Sequence, residues 1–274
     1  MHDGEAPIDE GLVRRLIAGQ FPQWTLLSLE MVRSSGTDNA LFRLGSDMVV
    51  RLPRIDSAAK LIAKECRVLP MLAPHLPVAV PLPLGLGAPA EGYPYPWSVY
   101  RWLEGTNPKE GEAVAGLIDF VAALHRIDVK DAPRSPRGTP LALRDAATRE
   151  ALATLGIAPD IWDDALAVPA GPDTWIHGDL MPGNLLVADG RLTAVVDFGL
   201  CGLGDPACDL IAAWNLLGAD ARAAFRDALA VDDAMWARGR GWALSVAAIQ
   251  LPYYRDRNPA LAANARRTLA EVLG

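Results

Sequence analysis

The chain has 274 residues, 51% of them apolar, enough to build one large domain or two lobes around a substantial core. No run of 18 residues is continuously apolar, so no membrane span is expected, and the acidic start Met1-His2-Asp3-Gly4-Glu5 lacks the pattern of an export signal. Residues 1–103 balance ten Lys/Arg against ten Asp/Glu, whereas residues 104–274 hold 16 against 23 and so carry the whole net charge of −7; this disfavours nucleic acid and suits a cationic partner.

Residues 9–19 read as a short helix with Leu12, Leu16 and Ile17 on one face. Strands are expected at 24–32, 40–44 and 48–52, separated by turns at 33–39 and 45–47. Asp56 or Ser57 caps a helix running to about Ala73. Seven prolines between 74 and 96 exclude helix and favour extended edge segments. A strand follows at 97–103. An amphipathic helix is expected at 110–127, with Val114, Leu117, Ile118, Val121 and Leu124 on its stripe and His125 at its end. After a loop at 129–140, helices are expected at 142–155 and 159–167. The segments 185–187 and 192–196 flank Asp189-Gly190 and form a hairpin. Helices complete the chain at 206–217, 219–230, 233–251 and 259–273. Cys66, Cys201 and Cys208 have no zinc-like spacing, and an odd count without an export signal points to reduced thiols in a cytoplasm.

Residues 177–199 carry the chemistry. His177-Gly178-Asp179 is followed by Asn184, then by the hairpin, then by Asp197-Phe198-Gly199. The catalytic loop of protein kinases has the same Asp-to-Asn spacing ahead of its Asp-Phe-Gly. Phosphoryl transfer needs a carboxylate for the proton of the attacking hydroxyl and oxygen ligands for magnesium. Gly178 stands where protein kinases have Arg, and no Ala-Pro-Glu follows.

With Gly204-Asp205-Pro206, this block resembles the aminoglycoside phosphotransferase family, to which macrolide kinases and choline-kinase-like enzymes are related. The resemblance implies an α+β, protein-kinase-like two-lobed fold, with an antiparallel-sheet N-lobe (1–103) binding nucleotide and a mainly helical catalytic C-lobe (104–274). It implies ATP or GTP and Mg2+ as cofactors. The acceptor would be a small hydroxylated molecule, an aminoglycoside or macrolide antibiotic, with neither nucleic acid nor membrane as partner.

Residue by residue, the resemblance makes Asp179 the catalytic base and Asn184 and Asp197 the metal ligands. Arg51 takes the place of the strand lysine that grips phosphates, and Glu65 orients it; Arg is permanently charged and has two donors for phosphate. Ser35 and Thr37 would face the phosphates from the first turn, and backbone groups near Val99 to Trp102, those of Tyr100 and Trp102 among them, would meet the adenine edge. Asp209 would brace the catalytic loop by accepting its backbone amides. Trp214, Trp236, Trp242, Tyr253 and Tyr254, with Asp232, Asp233 and Asp256, are the candidate acceptor surface. Two other readings stand beside this one: a kinase of choline, homoserine or a sugar, and a catalytically silent nucleotide-binding module.

Overall fold

An aspartate cap starts the first helix of the computed structural model, which describes residues 5–32, 36, 38–109, 112 and 115–274. The Asp9 carboxylate accepts the Leu12 amide at 2.7 Å, opening α1 (Glu10–Gln20) with Leu12, Val13, Leu16 and Ile17 buried. Pro22 then begins a 3-10 turn in which the Thr25 and Leu27 amides bond back to the Pro22 and Trp24 carbonyls. Strand β1 (Leu29–Val32) is therefore shorter than the 24–32 that the sequence predicts. Strands β2 (Asn39–Leu44) and β3 (Met48–Pro53) lie where expected and bury alternate residues, including Phe42, Leu44, Val50 and Leu52.

Helix α2 (Asp56–Leu72) is not side-chain capped: Ile55 occupies the cap position, and Asp56 sits in the first turn paired with Lys60. A carboxylate there still suits the positive end of the helix. The proline-dense segment contributes β4 (Pro83–Gly87), an edge strand, and β5 (Trp97–Arg101) stops two residues short of the expected 103. The five strands form an antiparallel sheet in the order β1-β2-β3-β5-β4. One apolar cluster, including Leu16, Leu29, Phe42, Val50, Trp97 and Val99, packs α1 on this sheet.

The chain divides into two compact units, Met1–Pro74 with Ala79–Glu104, and His75–Val78 with Gly105–Gly274. The second unit is mainly helical. Its first helix, α3 (Leu117–Arg126), begins later than the expected 110, because Ala115 bridges to Arg191 and Gly116 turns with φ +93°. Four residues of that forecast, including Val114, lie outside the described residues. The forecast at 142–155 resolves into a 3-10 turn, Leu141–Arg144, followed by α4 (Asp145–Leu155). Next come α5 (Asp160–Ala167), β6 (Thr174–Ile176), β7 (Leu185–Ala188), β8 (Arg191–Val195) and β9 (Gly202–Gly204). β7 and β8 form the expected hairpin; Asp189 and Gly190 both take positive φ, which a tight turn needs. β6 pairs with β9.

The forecast helix at 206–217 is instead a 3-10 segment, Pro206–Ile211, followed by the short α6 (Ala212–Asn215). The chain ends in α7 (Ala219–Ala228), α8 (Asp233–Tyr254) and α9 (Pro259–Leu273). Trp162, Trp175, Trp242, Phe120 and Phe225 are buried in this unit. Among the described residues no helix is long and apolar enough to cross a membrane.

One buried ion pair ties α8 to the 3-10 segment. Arg238 Nε donates to Asp205 Oδ2 at 2.8 Å and Nη2 to Oδ1 at 3.2 Å, while Nη1 donates to the Pro169 carbonyl. Both side chains are under one-tenth exposed. Removing one member of such a pair strands the other charge, so Arg238→Met is expected to cost about 3–5 kcal/mol in urea unfolding. Arg14→Met, which removes the exposed i,i+4 pair with Glu10, is expected to shift stability by less than about 0.5 kcal/mol.

Candidate active site

The loop from His177 to Asn184 is held by a single buried carboxylate. Asp209 has no solvent exposure; its Oδ2 accepts the His177 amide at 2.9 Å and its Oδ1 the Gly178 amide at 2.8 Å. His125 Nε2 lies 3.1 Å from Oδ2, so this helix-end histidine is a third partner of the brace. Asp209 is delivered by the 3-10 segment that Asp205 caps, accepting the Ala207 amide at 3.0 Å.

Glycine is dictated at 178. Its φ is +83°, and a Cβ there would lie 2.9 Å from the Leu200 carbonyl oxygen. The imidazole of His177 joins two parts of the site. Its Nδ1 accepts the Asp179 amide at 3.2 Å, which places the proton on Nε2, facing the Val196 carbonyl at 3.0 Å. The ring also meets Phe198 edge-on, 4.7 Å between centroids.

Asn184 closes the loop. Its Nδ2 donates to the Asp179 carbonyl at 2.9 Å and to Asp179 Oδ2 at 3.0 Å. Its own carbonyl accepts the Val196 amide at 2.9 Å, so the hairpin brings Asn184 beside the residue preceding Asp197. Asp197 takes φ +62°, a left-handed conformation that Asp tolerates better than most residues. With Nδ2 engaged by Asp179, the donor Asn184 has left for a cation is Oδ1. One amide oxygen and one carboxylate suit a hard divalent cation that keeps water and phosphate oxygens in its shell. Among the described residues, no group of three or more His, Cys, Asp or Glu forms a self-sufficient metal cage.

The Asp179 side chain is 23% exposed, and its Oδ1 lies 3.4 Å from Arg137 Nη1. Burial pushes the Asp179 carboxyl above its ordinary range and Asp197 adds to this, while Arg137, His177 and the Asn184 amide oppose it. Arg137 comes from the loop after α3. The sequence reading passed over it, because a basic residue in a proline-rich loop resembles ordinary surface.

In the first unit, Arg51 Nη1 donates to both carboxylate oxygens of Glu65, at 2.8 and 2.7 Å, with Glu65 fully buried. Tyr100 donates its hydroxyl to Glu65 Oε2 at 3.2 Å, and burial drives the phenol pKa well above its usual value. The Tyr100 side chain thus braces the Arg51–Glu65 pair, whereas the adenine edge is expected of the backbone between Val99 and Trp102 and not of this side chain. Trp102 follows β5 directly. Its amide bonds to the Asp47 carbonyl at 2.7 Å, and its ring lies under Arg43, 4.2 Å from guanidinium carbon to centroid. Ser35 and Thr37 lie outside the described residues.

The expected acceptor surface divides. Trp214 and Trp236, with ring centroids 4.6 Å apart, line a cavity of about 350 Å³ together with Asp164, Asp233 and Glu271 and with Arg222 and Arg240; Glu271 is paired with Arg222 and Asp233 with Arg226. Trp242 is fully buried under Arg144, and Asp232 caps α8 by accepting the Met235 amide.

Comparison with known proteins agrees with this geometry. The sequence model of a phosphotransferase enzyme family matches residues 31–242. A structure of APH(2'')-IIIa with GDP and kanamycin is 21% identical, with TM-score 0.73, covering 95% of this chain and 98% of that one. The aminoglycoside phosphotransferase APH(2'')-Ib, bound to ADP, is 17% identical with TM-score 0.63, covering 96% and 98%. The apoenzyme of macrolide 2'-phosphotransferase MphH from Brachybacterium faecium is 28% identical with TM-score 0.58, covering 89% and 92%. Comparison with curated protein sequences gives no match. The fold is the expected α+β, kinase-like one: an antiparallel sheet in the first unit, helices in the second.

Asp209→Ala leaves two buried amides without an acceptor, each lost partner costing about 1–3 kcal/mol. A loss of about 2–6 kcal/mol is therefore expected in denaturant unfolding, a larger effect than alanine at the exposed Asp227 produces.

Proposed function

Because the chain belongs to the phosphotransferase enzyme family, we propose that it transfers the γ-phosphoryl group of ATP or GTP to a hydroxyl of a small molecule. The observation that carries this reading is the pair of hydrogen bonds that Asn184 Nδ2 donates to the carbonyl and the carboxylate of Asp179, at the foot of the hairpin that leads to Asp197. Asp179 takes the proton of the acceptor hydroxyl as its oxygen bonds to the γ-phosphorus and the bond to the nucleoside diphosphate breaks. Asn184 Oδ1 and the Asp197 carboxylate hold Mg2+, which when bound neutralises charge on the β- and γ-phosphates. Arg51, kept in one orientation by Glu65 and Tyr100, grips nucleotide phosphate with its permanently charged guanidinium. The first unit is the nucleotide-binding lobe on this reading, and the second the catalytic one.

The acceptor we propose is an aminoglycoside or macrolide antibiotic, cationic and hydroxyl-rich. Three features support this. Residues 104–274 carry the entire net charge of −7. The Trp214–Trp236 cavity, with Asp164 beside the Arg222–Glu271 and Arg226–Asp233 pairs, offers aromatic and mixed-charge contacts to a polar, ring-bearing molecule. The related structures include a kanamycin complex and a macrolide phosphotransferase.

The test is incubation of purified protein, MgCl2 and ATP or GTP with a panel of aminoglycosides, macrolides, choline, homoserine and sugars, with mass spectrometry of the acceptors. Phosphorylated antibiotic is the expected product. Phosphorylated choline, homoserine or sugar alone would move the chain to metabolite chemistry, and no product at all would leave a silent binding module. Asp197→Ala is expected to abolish transfer. Asp179→Ala is expected to lower kcat by on the order of 10²–10⁴, the scale of a lost acid–base group. In nucleotide titrations, Arg51→Ala is expected to weaken affinity more than Arg51→Lys; equal affinities would show that Arg51 does not touch phosphate.

A further inference from the structure

Arg137 reaches Asp179 on a strap that is built for the purpose. The segment 133–138 lies along residues 200–205. Leu203 N–H donates to the Pro133 carbonyl at 2.8 Å and Ser135 N–H to the Leu203 carbonyl at 3.0 Å. Ser135, 5% exposed, donates its hydroxyl to the Leu200 carbonyl at 2.7 Å and accepts the Arg137 amide at 3.0 Å. Asp205 N–H then donates to the Gly138 carbonyl at 2.8 Å, and Gly138 takes φ +71° to make this turn. The backbone is thus fixed on both sides of Arg137. Leu200, where the strap is fastened, is also the residue whose carbonyl excludes a side chain at 178.

At the Asp179 carboxylate the two oxygens are held by different groups. Asn184 Nδ2 takes Oδ2 at 3.0 Å, and the Arg137 guanidinium lies 3.4 Å from Oδ1. The Asn184 bond alone would let the carboxylate swing about its Cβ–Cγ bond, and the Arg137 charge beside Oδ1 opposes that swing. Transfer requires the carboxylate plane to face the attacking hydroxyl, and misplacement by about 1 Å can cost 10²-fold in rate.

We propose that Arg137 is a positioning residue for phosphoryl transfer, holding the Asp179 carboxylate from the strap in the orientation that meets the acceptor hydroxyl. This rests on Asp179 being the base, so the experiment separates the two claims. A double-mutant cycle is built from wild type, Arg137→Met, Asp179→Asn and the double variant. It is read once in urea unfolding and once in turnover, with MgCl2, ATP or GTP, and kanamycin and a macrolide as acceptors.

In unfolding the two substitutions are expected to be non-additive, since they remove one shared contact. In turnover, Arg137→Met is expected to lower kcat on the order of 10–100-fold with the nucleotide KM unchanged. In the Asp179→Asn background it is expected to lower kcat by less than about twofold. Arg137→Lys, which keeps the charge but not the fork, is expected to fall between wild type and Arg137→Met, and it carries the test should the methionine variant fold poorly.

Additivity in both readouts overturns the proposal. Coupling in unfolding together with unchanged kcat reduces Arg137 to a structural contact, and also overturns it. A wild-type protein that phosphorylates none of the aminoglycosides, macrolides, choline, homoserine and sugars refutes the reading of Asp179 as base and the role of Arg137 with it, even where coupled unfolding shows the ion pair to be real; where only another acceptor of that panel is phosphorylated, the turnover arm is read on that acceptor.

Discussion

A carboxylate with no access to water must be surrounded by donors, and Asp209 meets that demand with the backbone of the loop that carries the chemistry. Two amides and one imidazole converge on its two oxygens. Moving the loop would leave the charge and both amides unsatisfied in the interior, which the low local dielectric makes costly. The loop is therefore tied to the same core that holds α6, α8 and α9. From Asp209 the constraint spreads outward in short steps: through the 3-10 segment to Asp205 and its buried Arg238, and through Asn215, whose Nδ2 donates to the Leu180 carbonyl at 3.0 Å.

The rest of the site follows from this fixed loop. With His177 held, its ring links the Asp179 amide to the carbonyl just before Asp197, so the two aspartates share one connection. Burial and the nearby Asp197 carboxylate raise the cost of ionising Asp179. Arg137 and the Asn184 amide offset that cost at Asp179. The first unit solves the matching problem for a cation. Arg51 runs along a sheet strand and is pinned by a buried glutamate, itself held by a buried tyrosine, so the guanidinium keeps one face. Pinning reduces the conformational entropy lost when an anion is gripped.

Much of this was legible in the sequence because catalysis here uses short local spacings. Asp179 and Asn184 lie in one loop, and the Asp189-Gly190 turn delivers Asp197 by local chemistry. The pairing of Arg51 with Glu65 and the bracing by Asp209 followed from the family pattern and stand as expected in the geometry. What escaped depends on tertiary placement. Arg137 is an arginine among prolines until the strap lays it beside Asp179. Tyr100 lies on a strand read for its backbone, and that reading does not show that alternation turns its side chain inward, onto Glu65. Element edges failed where backbone detail outranks periodicity: Pro22 delays β1, and Gly116 delays α3.

The central claim is that the catalytic loop is organised by the buried Asp209 carboxylate before any ligand arrives. Amide hydrogen exchange at His177 and Gly178 in the nucleotide-free protein tests it most directly. Both amides are predicted to be among the slowest in the helical unit, and to stay equally slow when MgCl2 and ATP or GTP are added. Fast exchange in the free protein that slows only on adding nucleotide would contradict the account, since the loop would then be ordered by its ligand and not by Asp209.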